Sequence, residues 1–200
     1  MDQIFENHFC THYPEIFPSC GNETAPYFGL ECRNGWFELL DATCTLIQKH
    51  QQEQHCAPLV AAQVKEKFGT LRFYYRGGDD YIGRLIDLAE YLSQSICDVC
   101  GKPGQTLERN KWLRTRCPSH AVELGQPATT VAAPTESPSQ FADVIAAALH
   151  LFDLDAAAAA RWLTNTNSAL SQSPLASAIS AGNYQQVVTL IGQIEHGVGR

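Results

Sequence analysis

Four residues with metal-binding side chains form two close pairs in the sequence. Cys97 and Cys100 form a CxxC pair, and Cys117 and His120 form a CxxH pair after a gap of sixteen residues. Two such pairs joined by a hairpin-length segment supply the four donors of a closed tetrahedral Zn²⁺ site. The alternatives are a redox CxxC or unrelated buried thiols, but a redox pair leaves Cys117 and His120 unexplained. We therefore predict one structural zinc ion per chain, without an open position for catalysis.

The residues around these pairs predict the elements that position them. Thr106–Glu108 and Trp112–Arg116 are typical of two hairpin strands, and Pro118 can open a short helix that carries His120. Upstream, apolar periodicity predicts a helix, two strands and a second helix, with Asp79 or Asp80 as the cap of that helix. These elements cover residues 34–50, 57–64, 70–77 and 79–96. The order predicts a small α+β domain that ends in the zinc module.

A second metal site is the weaker interpretation of the remaining cysteines. Cys10 and His12 alternate near the N-terminus, and Cys20 and Cys32 could complete a ligand set, but the spacing is loose. Cys44 lies on the predicted core face of a helix, where a thiol behaves as a small hydrophobe. The N-terminus has acidic residues and no basic signal region. We therefore expect a cytoplasmic protein whose cysteines are thiols or metal ligands rather than disulfides.

Charge limits the classes of partner. The formal net charge is −7, which argues against broad nucleic-acid binding. A local basic patch of Arg109, Lys111, Arg114 and Arg116 surrounds Trp112 on the predicted hairpin. A patch of this kind can bind nucleic acid or an acidic protein, but we favour a solvated strand face and weak or no nucleic-acid binding.

Two other classes of protein are not expected. No catalytic motif is visible, so we predict that the chain is not an enzyme. The longest apolar stretch, residues 144–152, has nine residues and includes His150, which is too short to cross a bilayer.

Composition divides the chain near its middle. Residues 121–140 contain three prolines and no Lys or Arg, which is typical of a linker, and all eight cysteines precede this segment. We predict an α+β zinc-binding domain over residues 1–120, a flexible linker over 121–139, and a small all-α domain over 140–200. Apolar spacing places helices over 141–149, 154–163, 174–181 and 184–196, with Ser173 and Asn183 as caps and Gly197 as a stop.

The first part of the chain resembles a family of small uncharacterised proteins found in bacteria and phages. The resemblance covers about residues 31–121 and lies in "ECRNGWFELLDATC", "VKEKFGTLRFYYRGGDDYI", "CDVCG" and "WLRTRCPSHA". It implies a phage or mobile-element context but no activity.

The last part is similar to the toxin-binding domain of Xre/MbcA/ParS-type antitoxins. The resemblance covers about residues 140–200 and is strongest in "ARWLTNTNSALSQSPL" and "AGNYQQVVTLIGQIEHG". It implies a helical domain that binds and blocks a RES-type toxin, an enzyme that consumes NAD⁺, with its C-terminal end near the toxin's active-site entrance. The residues expected to reach the partner are Gln185, Gln193, Glu195, His196, Gly197 and Arg200.

Two functions follow from these features. The first is an antitoxin-like inhibitor, in which the zinc module serves dimerisation, targeting or turnover. The alternative is a phage or mobile-element adaptor with an anti-defence role, whose zinc module engages a host protein or nucleic acid. Antitoxins of this group usually carry an N-terminal region for DNA, and a zinc module stands there in this chain. A homodimer is a further expectation, because about 60 residues of short helices make a marginal domain alone.

Overall fold

The N-terminal part of the protein combines helices with two small sheets. The computed structural model describes residues 1–18, 29–54, 56–121, 131, 133 and 139–197. The elements follow in the order α1 Gln3–His12, β1 Leu30–Glu31, α2 Phe37–Glu53, β2 Val60–Lys67, β3 Thr70–Arg76, α3 Asp80–Leu92, β4 Gln105–Arg109, β5 Trp112–Arg116 and α4 Pro118–Ala121. Single 3₁₀ turns, Asn34–Trp36 and Ser93–Ser95, precede α2 and follow α3.

The first three strands form one sheet in the order β1-β2-β3. β1 runs parallel to β2, and β2 runs antiparallel to β3. The two-residue turn at Phe68 and Gly69 has φ values of 55° and 79°, and two positive φ angles are typical of a type I′ hairpin turn. β3 is an edge strand, but the Phe73 N–H donates to Oε1 of Glu90 on α3. The helix therefore satisfies part of an edge that could otherwise pair with another strand.

The core of this part lies between the sheet and helices α1, α2 and α3. Trp36 is fully buried at the start of α2, and its indole N–H donates to the Ile96 carbonyl at 2.9 Å. This bond joins the start of α2 to the segment that leads into Cys97. The other large buried side chains include Phe9, Leu39, Leu40, Ile47, Val64, Leu71, Phe73, Leu85 and Leu88.

The C-terminal part is helical. Its helices are α5 Gln140–Leu151, α6 Ala156–Thr164, α7 Pro174–Ala181 and α8 Tyr184–Glu195. The Asp155 side chain accepts from the Ala158 N–H, and the Ser173 side chain accepts from the Ala176 N–H, so both residues cap the helices that follow them. Gly182 ends α7 with φ of 67°. The alanine-rich α6 packs against α3, where small side chains allow a close approach.

One hydrophobic core runs through both parts. Helix α5 packs against α2 and α8, and α6 packs against α3. The Tyr184 hydroxyl at the start of α8 donates to Oε1 of Glu38 on α2. Burial raises the pKa of Glu38 above its ordinary value, and burial together with this contact raises the pKa of Tyr184. The C-terminal helices are therefore built onto α2 and α3.

The expectation of a mixed α/β protein with a helical C-terminal region is confirmed. The predicted zinc hairpin, the β2–β3 pair and the predicted helices are all present, with Asp79 as the cap of α3. Neither α1 nor β1 was predicted, because α1 exposes polar residues among its apolar ones and β1 has only two residues. The predicted linker lies outside the described residues apart from residues 121, 131, 133 and 139. Among the described residues, none of the helices is long and apolar enough to cross a membrane.

Candidate functional site

The four predicted ligands meet at one point. One donor atom from each of Cys97, Cys100, Cys117 and His120 lies within 4.8 Å of the others. His120 Nδ1 is 3.2 Å from the Cys117 sulfur and 3.5 Å from the Cys97 sulfur, and the Cys100 and Cys117 sulfurs are 3.7 Å apart. Three thiols and one imidazole are the donor set of closed structural metal sites. The cluster could therefore hold a metal ion.

Backbone hydrogen bonds set the positions of these ligands. The Gly101 N–H donates to the Cys97 carbonyl, and Gly101 has φ of 76°, so the chain turns tightly after Cys100. The His120 N–H donates to the Cys117 carbonyl in the first turn of α4. Burial tends to raise the pKa of Cys117, but hydrogen bonds from backbone N–H groups, first that of His120, lower it below its ordinary value.

A buried carboxylate lies inside the first ligand pair. Asp98 is almost fully buried, and its Oδ1 is 2.7 Å from Nη1 of Arg116 without the alignment of a hydrogen bond. Burial raises the pKa of Asp98, and the cationic side chains, first Arg116 and then Arg33, oppose that shift. Arg116 therefore balances a charge beside the metal ligands, a role that its place in the basic sequence did not indicate.

The structure separates the four residues of the predicted basic patch. Arg114 forms an ion pair with Glu66, and Arg116 pairs with Asp98. Arg109 and Lys111 are exposed on either side of the hairpin turn, and Trp112 is 69% exposed with the Arg114 guanidinium 6.0 Å from its ring centroid. Two of the four cations are therefore neutralised within the chain.

The loosely spaced donors near the N-terminus do not form a metal cluster in the described part of the chain. Cys10 is disulfide-bonded, which differs from the expectation that the cysteines are thiols or metal ligands. The His12 ring stacks on His8, Cys32 is a free buried thiol, and Cys20 lies outside the described residues. A different group, His50, Cys56 and Asp79, does bring three donor atoms within 4.8 Å. No local sequence pattern pointed to this group, because His50 and Asp79 are 29 positions apart.

The C-terminal helices present a groove lined by both polar and apolar side chains. Val187 and Ile191 bury one side of α8, and the opposite side exposes glutamines. A shallow depression of about 380 Å³ lies between α8 and the loop after α6. Its lining comprises Ala169, Leu170, Gln185, Gln186, Thr189, Leu190 and Gln193.

Residues 147–197 match the Xre/MbcA/ParS antitoxin C-terminal toxin-binding domain.

The match begins inside α5 and ends at Gly197, just beyond α8. It covers about a quarter of the chain and includes the whole groove. No curated protein and no solved structure is significantly similar to the chain. The match supports an antitoxin role for the protein. Membership of an antitoxin domain family suggests a non-catalytic regulator. The resemblance of residues 31–121 to a family of bacterial and phage proteins is not shown by these comparisons.

The toxin-binding domain places the expected contact residues in different settings. Gln185 and Gln193 line the groove, and His196 and Gly197 are exposed after the end of α8. Glu195 is engaged within the chain, because its Oε1 lies 3.0 Å from Nδ1 of His150 on α5. Arg200 lies outside the described residues.

Two apolar side chains of these helices are less buried than helical spacing alone would indicate. Ile194 on α8 is 44% exposed. Trp162 is only partly buried and contacts Phe152, with ring centroids 6.3 Å apart, whereas its neighbour Leu163 is fully buried.

Proposed function

We propose that this chain is an antitoxin whose C-terminal helices bind a RES-type, NAD⁺-consuming toxin and block its substrate entrance. The observation that carries the proposal is the match of residues 147–197 to an antitoxin toxin-binding domain. A non-catalytic blocking role agrees with the absence of a recognisable catalytic motif in the sequence. The family resemblance supplies the toxin class.

The α8 groove is the proposed contact surface. Gln185 and Gln193 stand two turns apart on the exposed side of α8, so both can reach one partner. Glutamine amides can donate and accept hydrogen bonds, which suits recognition of a polar surface. Leu170 and Leu190 add apolar area to the same depression. His196 and Gly197 extend the proposed contact beyond the helix, and Arg200 is a further proposed contact residue outside the described part of the chain.

We propose that Cys97, Cys100, Cys117 and His120 bind a single structural Zn²⁺ ion. The donor set of three cysteines and one histidine is full, so the ion would stabilise the fold rather than activate water. In this division of labour, residues 1–120 form a zinc-stabilised platform and residues 140–200 bind the toxin. We further propose that the protein acts in the cytoplasm and dimerises through the platform.

One observation favours a second candidate function. Trp112 is exposed beside Arg109 and Lys111 at the turn of the zinc hairpin. An exposed aromatic between cations is typical of surfaces that bind nucleic acid or acidic protein segments. The alternative is therefore a zinc-binding adaptor with an anti-defence role, carried by a phage or mobile element, that engages a host molecule through this turn.

Co-expression with a RES-family toxin tests the first function. Wild-type chain should preserve cellular NAD⁺ and co-purify with the toxin. The double variant Gln185→Ala/Gln193→Ala should lose both properties while it keeps the wild-type circular dichroism spectrum, because both side chains are exposed. Removal of residues 197–200 should weaken inhibition with little change in stability.

A matched control uses two exposed glutamines at the end of α2. Gln52→Ala/Gln54→Ala changes the same chemistry far from the groove and should behave as wild type. If wild-type chain neither preserves NAD⁺ nor co-purifies, the RES assignment is wrong. If the groove variant protects as well as the control, the groove is not the contact surface.

A further inference from the structure

Three donor side chains from separate segments converge outside the cysteine-rich centre. His50 is in the last turn of α2, Cys56 lies in the segment before β2, and Asp79 caps α3. One donor atom of each lies within 4.8 Å of the other two. His50 Nε2 is 2.7 Å from Asp79 Oδ2, and the Cys56 thiol is free and half-buried.

Each donor is held by its own local contacts. The His50 ring stacks on Tyr81 with centroids 4.4 Å apart, which limits rotation of the imidazole. One carboxylate oxygen of Asp79 accepts from the Ile82 N–H at 3.0 Å, which leaves the other oxygen directed at His50. A hydrogen bond alone would account for the His50–Asp79 contact, but it does not account for the nearby thiol.

Backbone packing brings the cysteine to this pair. The Gly78 N–H donates to the Ala57 carbonyl at 2.9 Å. A Cβ at Gly77 would lie 2.0 Å from the Pro58 carbonyl oxygen, so the turn before Asp79 can approach this segment only as glycine. Cys56 is therefore fixed beside the start of α3 by the same contacts that shape the Gly77–Gly78 turn. Preorganised donors of this kind are what a metal site requires.

We propose that His50, Cys56 and Asp79 form a second site for a divalent transition-metal ion of the zinc class. Thiolate, imidazole and carboxylate are the three donor types that Zn²⁺ uses in proteins, with bond lengths of about 2.0–2.3 Å. Donor atoms within 4.8 Å can close on such an ion through small side-chain rotations. Three protein ligands leave the fourth tetrahedral position to water or to an external donor, unlike the full set at Cys97, Cys100, Cys117 and His120.

Metal binding releases protons at this site. The His50 nitrogen and the Asp79 oxygen share one hydrogen bond without the ion, and that bond gives way when both residues bind the ion. Cys56 then releases its thiol proton to solvent, and His50 binds through an unprotonated ring nitrogen. The ion would join the end of α2 to the start of α3, the two helices on which α5 and α6 pack.

Zinc titration of the full chain, followed by native mass spectrometry, tests the site. Cys56→Ser removes the thiolate. Asp79→Asn removes the charge but keeps a side-chain oxygen that can cap α3, since Asn and Asp are comparable caps. The control is Asp80→Asn, the neighbouring carboxylate outside the cluster. We expect Cys56→Ser and Asp79→Asn to hold one zinc ion fewer than the wild type, and Asp80→Asn to match the wild type.

Alkylation of Cys56 tests this site separately from the cluster of Cys97, Cys100, Cys117 and His120. Zinc should slow alkylation of Cys56 by iodoacetamide in the wild type and in Asp80→Asn, and should have no effect on it in Asp79→Asn. Peptide mapping reads Cys56 separately from the other cysteines. Equal zinc content in all four proteins, or alkylation of Cys56 that ignores zinc in the wild type, would overturn the proposal.

Discussion

The cluster of three cysteines and one histidine differs from the C-terminal helices in how its proposed function depends on the fold. At residues 97–120 the four side chains that could hold a metal are the proposed functional groups, and the backbone brings them together. In the C-terminal region buried side chains such as Leu163 and Ile191 hold the shape, and the proposed binding residues are exposed glutamines. Substitutions in the first region should therefore affect chemistry and fold together. In the second they should separate fold from binding.

Removal of the metal should have the largest effect. Structural zinc contributes about 10–16 kcal/mol of apparent binding free energy in small domains, which rivals the whole stability of a typical protein. We expect strong chelation to abolish hydrogen-exchange protection in β4, β5 and α4. The loss should extend to the start of α2, because the Trp36 indole is bonded to the Ile96 carbonyl.

The variant Cys117→Ser should reproduce this loss without a chelator, and Cys32→Ala serves as the control because Cys32 is a free thiol outside the centre. Hydrogen exchange with mass spectrometry measures the protection segment by segment. Full hydrogen-exchange protection of residues 96–121 after chelation would contradict a structural role for the metal. Fold and functional side chains would then be separable in both regions.

The second-largest effect should come from the core of the helical region. Leu163→Ala removes a fully buried side chain and should cost about 2–5 kcal/mol of unfolding free energy. Trp162→Ala should cost less than Leu163→Ala, although tryptophan is the larger side chain, because Trp162 is only half-buried. Urea denaturation compares the two variants. A larger loss for Trp162→Ala would mean that its contact with Phe152 carries more of the packing than its exposure indicates.

The convergence of Cys97, Cys100, Cys117 and His120 was predictable because the sequence signals that place these residues are local. The CxxC and CxxH spacings, the hairpin between them and the helix at Pro118 each follow short-range rules. The helices of the C-terminal region were also predictable from apolar spacing and from the cap at Ser173. Asn183, also predicted as a cap, makes no side-chain capping hydrogen bond. Apolar spacing could not predict how deeply each side chain is buried, as the exposed Ile194 and the half-buried Trp162 illustrate.

Features that depend on contacts between distant residues were not predictable. Three contacts join residues that are 18 to 146 positions apart: Arg116 with the buried Asp98, His50 with Asp79, and Tyr184 with Glu38. Composition suggested two separate domains, yet the described C-terminal helices share a core with α2 and α3. The sequence of a low-charge, alanine-rich segment does not determine whether the segment packs on itself or on a neighbouring helix.

The smallest predicted effect tests how the two regions are joined. Burial raises the pKa of Glu38 above its ordinary value of 4.5, and the hydrogen bond from Tyr184 offsets only part of that shift. Well below the ordinary pKa, Glu38 is protonated in the folded and the unfolded chain, so its burial carries no charge penalty. As the pH rises, the unfolded chain releases this proton first, and the free energy of unfolding falls across the interval between the two pKa values.

Glutamine cannot ionise, and its Oε1 can still accept from the Tyr184 hydroxyl. We therefore expect Glu38→Gln to be slightly more stable than the wild type at neutral pH, with the difference vanishing well below the ordinary pKa of glutamate. Glu53→Gln is the matched control, because Glu53 is exposed at the end of the same helix. Urea denaturation at both pH values measures the difference. A difference that is independent of pH would mean that the pKa of Glu38 is the same in the folded and the unfolded chain, so that its burial carries no charge penalty. The contact between α2 and α8 would then rest on packing and hydrogen bonding alone.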